Sequence, residues 1–383
     1  MISIWLSEVT GYIVFENRLF RAAAASLVSF GLVFFAMPGI IRFLKRHNAT
    51  SDFDDKNPHS VPIMGGSLLV LVVLFTSVLF AALNAFVVSI LVIMMTYAAV
   101  GAIDDVLKVI NKRKIIRGEL SKKDYMDKAD GLSTQTRLIC YFLFSLAVAV
   151  FAYKFIPGLT GHLTVPFVKP DIWHPYLPAW ALILLTSLVT TATANGANFT
   201  DGLDTLVSIP LITTASFVGI VAYISGNAIA AKYFLIPHVI GVDELLPVTS
   251  AIVGSILAYL WFNSPPAQIY MGDTGSIGLG AAIGMMFVLI NAQLFLPLVG
   301  IIFVAEATSV VLQIGGFKLT RRFSQNKQGR RLFLRAPLHE HYKLKWQSLY
   351  PTPFMRNSKI LWRFHLVSIV ALIAGLMVFF KMR

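Results

Sequence analysis

The chain has 383 residues, of which 56% are hydrophobic and only 13% charged, and its mean hydropathy is +0.73. Such a chain cannot cover a water-soluble globule of its size with polar surface, so its solvent is largely lipid and no large soluble domain fits beside its apolar runs. The formal charge of +13 has to be sorted by side of the membrane before it means anything, and the single cysteine, Cys140, excludes an intrachain disulfide.

The N-terminus carries Glu8 and Glu16 ahead of its first long apolar run, with no basic stretch followed by a small-residue cleavage site, so the first span is expected to stay in the mature protein. Apolar stretches bounded by charge, Gly or Pro follow at 19–43, 62–82, 85–103, 137–156, 178–196, 205–225, 247–263, 274–291, 294–316 and 360–380. A helix needs roughly 20 apolar residues to cross the hydrocarbon core, which makes this an all-α integral membrane protein of about ten transmembrane helices. The pairs at 62–103 and 274–316 leave almost no room for a loop, and each is expected to form a tight helical hairpin. Residues 1–383 are read as a single polytopic transmembrane domain.

Cytoplasmic loops retain Lys and Arg. With the N-terminus outside, segments 42–61, 104–137 and 317–363 face the cytoplasm and hold 25 of the 32 basic residues. Positive-inside bias and attraction to anionic lipid account for the basic loops at 108–128 and 317–359, so their partner is the membrane surface and not nucleic acid.

The same topology brings three acidic motifs to the inner face: Asp104-Asp105, Asn198-Phe-Thr-Asp201-Gly-Leu-Asp204, and Met271-Gly-Asp273-Thr-Gly-Ser276. The inner loop after the ninth run adds Arg335-Ala-Pro-Leu-His339-Glu340-His341. Carboxylates at a bilayer edge survive where they meet water, a partner or a metal. Clustered carboxylates suit Mg²⁺, a hard ion that takes a few protein oxygens and shares its shell with substrate phosphates. Glycines beside Asp273 let backbone approach a ligand, and Thr274 or Ser276 can cap a helix whose N-terminus favours an anion. Each acid also has a bland reading. Asp104-Asp105 can mark a solvated helix end, Asp273 can cap a helix, Asp201 and Asp204 can serve Asx turns, and the two histidines can face headgroups. Glu306 and Gln313, seven residues apart inside the ninth run, are expected to form a buried polar pair that fixes helix packing.

Several motifs in one order carry a resemblance: Pro62-Ile-Met-Gly-Gly66, Asp104-Asp105, Asn198 to Asp204, Trp261-Phe-Asn263, Met271 to Ser276 and Ala336-Pro-Leu-His339-Glu-His341. Nearly end to end, the chain resembles the polyprenyl-phosphate N-acetylhexosamine-1-phosphate transferases of the glycosyltransferase 4 family. The resemblance implies transfer of phospho-N-acetylmuramoyl-pentapeptide from UDP-N-acetylmuramoyl-pentapeptide to undecaprenyl phosphate, with UMP released, in the bacterial cytoplasmic (inner) membrane. It also implies ten helices with both termini periplasmic, a Mg²⁺-dependent active site in a cytoplasmic-facing cleft, and a homodimer.

By the same resemblance Asp273 is the metal ligand, Asp104 and Asp105 position or deprotonate the lipid phosphate, and His339 and His341 hold diphosphate or transfer protons. Asn198, Asp201 and Asp204 lie beside the nucleotide, while Asn263 and Tyr270 contact uracil, Tyr270 by stacking. This chain departs from the family pattern in three places: Glu340 replaces a middle histidine, Ser133-Thr-Gln-Thr-Arg137 replaces a segment richer in lysine, and Val61-Pro-Ile-Met precedes Gly65, with Lys56 in a different register. Two other functions fit the sequence. One is transfer of N-acetylglucosamine-1-phosphate to the same lipid, favoured by the segment Asp54 to Pro62. The other is a transporter or lipid flippase, against which stands the lack of an internal repeat.

Overall fold

The computed structural model describes residues 7–50, 60–116, 131–156, 158–159, 161–168, 172–173, 175–324 and 329–381. Lys56, His59, His174 and most of the 54–62 and 108–128 segments lie outside them.

All ten apolar stretches are helical: α1 (Arg18–Arg46), α2 (Gly66–Phe80), α3 (Ala85–Ile116), α4 (Thr134–Phe155), α5 (Ala179–Thr200), α6 (Ser208–Gly226), α7 (Leu245–Asn263), α8 (Gly272–Leu289), α9 (Ile301–Phe323) and, after the short α10 (Leu338–Lys345), α11 (Pro353–Lys381). Among the described residues there is no multi-residue strand, and nine helices are long and apolar enough to cross a membrane. The exception is α2. Its 15 residues fall short because Pro62 to Gly65, expected to be part of a span, instead leave the helix and bond to the backbone of residues 270–271, with Met64 at φ +76°.

The other differences in boundary have local causes. α3 runs thirteen residues past its expected end at 103, since Asp104 and Lys108 pair one turn apart and Lys112 reaches the Thr50 hydroxyl at 2.6 Å. The 62–103 hairpin is present: a four-residue connection joins α2 to α3, and Asn84 Oδ1 accepts the Val87 N–H at 3.0 Å. The 274–316 hairpin is not. Short helical turns and a break at Gly300 intervene, and α9 packs on α5 instead.

α8 is the centre of the bundle, buried along nearly its whole length between α3, α5 and α2. Its small residues allow that position, for lipid tails give apolar helices little reason to associate and close backbone packing has to do so. A Cβ added at Gly280 would meet Ala197 Cβ at 2.7 Å and Ala194 Cα at 3.0 Å. α7 lies against α1, α6 and α2, and α11 closes the bundle against α6.

At the end away from the acidic motifs, buried Arg21 forks onto Glu244 at 2.8 and 2.6 Å and reaches the Phe80 carbonyl at 3.0 Å, while Arg18 pairs with Asp243. This pairing ties α1 to the α2 C-terminus and the start of α7.

Candidate active site

The site begins with a short extended pairing. Tyr270 N–H donates to Pro62 O, and the Gly65 and Gly66 N–H groups donate to Tyr270 O and Met271 O, each at 2.8 Å. The chain then turns through Gly272 at φ +77°, a conformation that L side chains rarely adopt, and enters α8 with Asp273 in its first turn. Backbone meets backbone here: a Cβ on Gly66 would lie 2.6 Å from Gly275 N and 2.9 Å from Met271 O.

Asp105, buried on α3, caps this helix from outside it. Its Oδ2 accepts Thr274 N–H at 2.9 Å and the Thr274 hydroxyl at 2.7 Å, and its Oδ1 accepts Asp273 N–H at 3.2 Å. The first amides of any helix lack internal partners, and a carboxylate that takes them also meets the positive end of the helix dipole.

Asp104 and Asp273 are bridged by two cations. Lys108 Nζ lies 2.9 Å from Oδ2 of each, and Arg137 Nη1 lies 3.0 Å from the same two oxygens. Asn198 Nδ2 donates to Asp273 Oδ1 at 2.8 Å and to Ser276 Oγ at 3.1 Å, and Leu132 N–H donates to Asp104 Oδ1 at 2.6 Å.

Asp201 completes the group at the end of α5. Burial first, then the negative charges of Asp273 and Asp105, push its carboxyl well above the usual range, against a hydrogen bond from the Gly272 backbone. Four carboxylates (Asp104, Asp105, Asp201, Asp273) thus share this region with two cations, leaving a surplus of two negative charges when all are ionised. Among the described residues no three His, Cys, Asp or Glu side chains converge as a metal cage. A surplus of this sign fits a hard divalent cation that draws its other ligands from a phosphate.

The 201–204 turn links this cluster to α10. His339 is buried, its ring lies against Gly202, and a Cβ at that glycine would come within 2.5 Å of His339 Cε1. Asp204 Oδ2 accepts Ala267 N–H at 3.2 Å; burial raises its carboxyl above the usual range, partly offset by that bond and by Lys343.

Asn263 is fully engaged in holding the α7–α8 loop, with Oδ1 accepting Thr205 N–H at 2.7 Å and Nδ2 donating to Ile269 O at 2.8 Å. Thr205 itself sits at φ +63°, unusual for a β-branched residue, and its carbonyl lies 3.2 Å from His365 Nε2. Tyr270 is half-buried at the loop's end.

His341 turns elsewhere. Its Nδ1 accepts Leu334 N–H at 3.1 Å, and its ring meets Phe333 edge-on. Burial and then the Lys345 charge hold it below the ordinary histidine range. Glu340 ends below its usual range: burial raises it, but the hydrogen bond and charge of Lys343, with His339 and Arg335, outweigh that.

The acids, Asn198 and His339 are therefore brought together at one end of the bundle, while His341 faces the 332–334 segment. The Glu306–Gln313 pair does not form. Glu306 bonds His339, and Gln313 holds the Leu332 and Phe333 backbone, because α10 and the chain before it fold over the two residues. Sequence reasoning also missed Lys108 and Arg137 as site residues. Lys108 was findable from its i,i+4 spacing to Asp104 on a helix; Arg137 has no such local signal.

The chain is also similar to known proteins along most of its length. The description "Glycosyl transferase family 4" matches residues 87–291. A phospho-N-acetylmuramoyl-pentapeptide-transferase of Campylobacter curvus is 32% identical over 375 residues, 96% of each chain. One from Desulfotalea psychrophila is 34% identical over 370 residues, covering 94% of this chain and 93% of the relative.

Proposed function

Since the chain belongs to glycosyl transferase family 4, and within it to the phospho-N-acetylmuramoyl-pentapeptide-transferases, we propose that it moves phospho-N-acetylmuramoyl-pentapeptide from its UDP carrier to undecaprenyl phosphate, giving lipid I and UMP. The observation that carries the reading is the meeting of Asp104, Asp105, Asp201 and Asp273 with Lys108 and Arg137 at one end of a membrane-type bundle.

The parts divide the work. Asp273 would hold Mg²⁺, and that ion would supply charge neutralisation at the diphosphate. Asp105 fixes the start of α8 and so the place of Asp273. Lys108 and Arg137, held by Asp104, present two cationic donors to incoming phosphate oxygens. A phosphate monoester with a second ionisation near pH 6 is mostly dianionic at neutral pH, so the acceptor needs positioning more than proton removal. His339 faces the 201–204 turn, where its Nε2 takes part in proton transfer. Asn198, Asp201, Asp204 and Tyr270 line the nucleotide side, with Asn263 shaping the loop that presents Tyr270; His341 supports the 332–334 segment.

The reading includes an inner-membrane, multi-pass topology with both termini periplasmic and the site cytoplasmic. It is supported by the 25 of 32 Lys and Arg in the three inner segments, with α2 and its extended lead as the tenth crossing. It also includes a homodimer through lipid-facing helices.

Purified protein offered undecaprenyl phosphate with either UDP-N-acetylmuramoyl-pentapeptide or UDP-N-acetylglucosamine tests it. UMP release is expected only with the first, only with Mg²⁺, and not from Asp273→Asn. Turnover of UDP-N-acetylglucosamine alone would reject the substrate, and release unaffected by chelation would reject the metal.

A further inference from the structure

Glu306 lies inside α9, fully buried, where a carboxylate is costly unless it is partnered. Its partner is one residue. Oε1 accepts the His339 backbone N–H at 3.1 Å, and Oε2 lies 3.2 Å from His339 Nδ1. His339 is the second residue of α10, so the same carboxylate caps the first turn of that helix and faces ring nitrogen Nδ1.

With a proton held on Nδ1, the other face of the imidazole is fixed in direction. Nε2 is pressed toward Gly202, the residue after Asp201, at a position where any side chain would collide with the ring. The charged groups on that side are Glu340, whose Oε1 is 3.6 Å from Nε2, and the Lys343 and Arg335 cations that pair with Glu340. A carboxylate on one ring nitrogen that sets the tautomer and aim of the other is a known way to make an imidazole directional.

We propose that Glu306 is a positioning residue for the transfer reaction: it fixes the His339 proton on Nδ1 and aims Nε2 at the Asp201-Gly202 turn, where the diphosphate is handled. The ligand's identity rests on the function proposed above; the Glu306–His339 pair does not.

The test uses the full-length chain labelled with ¹⁵N-histidine and three variants: Glu306→Gln, His339→Asn and the double substitution. Gln keeps an oxygen for the His339 N–H but no charge for the ring. The His339 signals, identified by their loss in His339→Asn, are expected to show a protonated Nδ1 in the wild type and to change in Glu306→Gln. In UMP release, Glu306→Gln is expected to lower kcat about 10- to 100-fold, the usual cost of losing an orienting partner, with KM changed by less than about threefold. In the His339→Asn background the same substitution is expected to cost nothing more. A wild-type ring protonated only on Nε2, an unchanged spectrum in Glu306→Gln, or losses that simply multiply would each overturn the proposal. Wild-type protein that releases no UMP would sink the transfer reading and leave the spectrum to judge the pair.

Discussion

Gly66→Ala is a test of whether the site depends on backbone contact between α2 and α8. The added Cβ would lie 2.6 Å from Gly275 N and 2.9 Å from Met271 O, where ordinary contact begins near 3.4 Å. No side chain can rotate away from a backbone atom, so the two segments have to part by at least about 0.8 Å, the difference between 3.4 and 2.6 Å, and by more at Gly275 Cα, the nearest atom. Overpacking of this kind costs about 1–3 kcal/mol of stability.

The effect on turnover should be larger. Asp273 lies two residues before Gly275 and is held by bonds of 2.8 to 3.2 Å from Asn198, Lys108 and Arg137 and, through its amide, to Asp105. A shift approaching 1 Å in a catalytic group can lower rate on the order of 100-fold. Steady-state UMP release and thermal unfolding of purified protein measure the two effects separately. Gly39→Ala, in α1 with nothing within 4 Å of the new methyl, is the control and should match the wild type in turnover and be no less stable. Wild-type turnover in Gly66→Ala would refute the claim that this contact sets the place of Asp273.

Other substitutions probe the remaining parts. Arg21→Ala leaves Glu244 buried without its counter-ion and should destabilise by about 3–5 kcal/mol, seen as a lowered unfolding midpoint with kcat per folded molecule unchanged; an unaltered midpoint counts against the pair. Lys108→Gln removes a cation that touches both Asp104 and Asp273 and should reduce kcat/KM at least about tenfold, since charge-assisted hydrogen bonds contribute about 1.5–3 kcal/mol; near-wild-type kinetics would exclude it from the phosphate site. For His341 the neutral ring is favoured by folding, and Leu334 N–H needs its unprotonated Nδ1. The unfolded chain therefore binds the proton first as pH falls, so stability should be level above about pH 7 and decline below the ordinary histidine value of about 6.5. His341→Asn should flatten that slope in melts run from pH 8 to 5, and an equal slope in both proteins would reject the assignment.

The membrane class, the number of apolar helices and the acids as a group were legible in the sequence, because lipid solvation sets helix length residue by residue and a carboxylate in such a chain stands out by its cost. Even the Asp104–Lys108 pairing follows from helical spacing alone. The sequence said less about what each acid does. Asp105 reads like Asp104 beside it, yet one caps α8 and the other holds two cations, a difference decided by which neighbour each meets across the bundle. Glu306 and Gln313 share a helix face, but both are taken by the folded-back 332–341 segment. Arg137, α2's shortened start and the α9–α5 packing belong to the same class. Local periodicity determines which face of a helix is polar; only contacts between segments far apart in the chain determine whose hydrogen bonds that face completes.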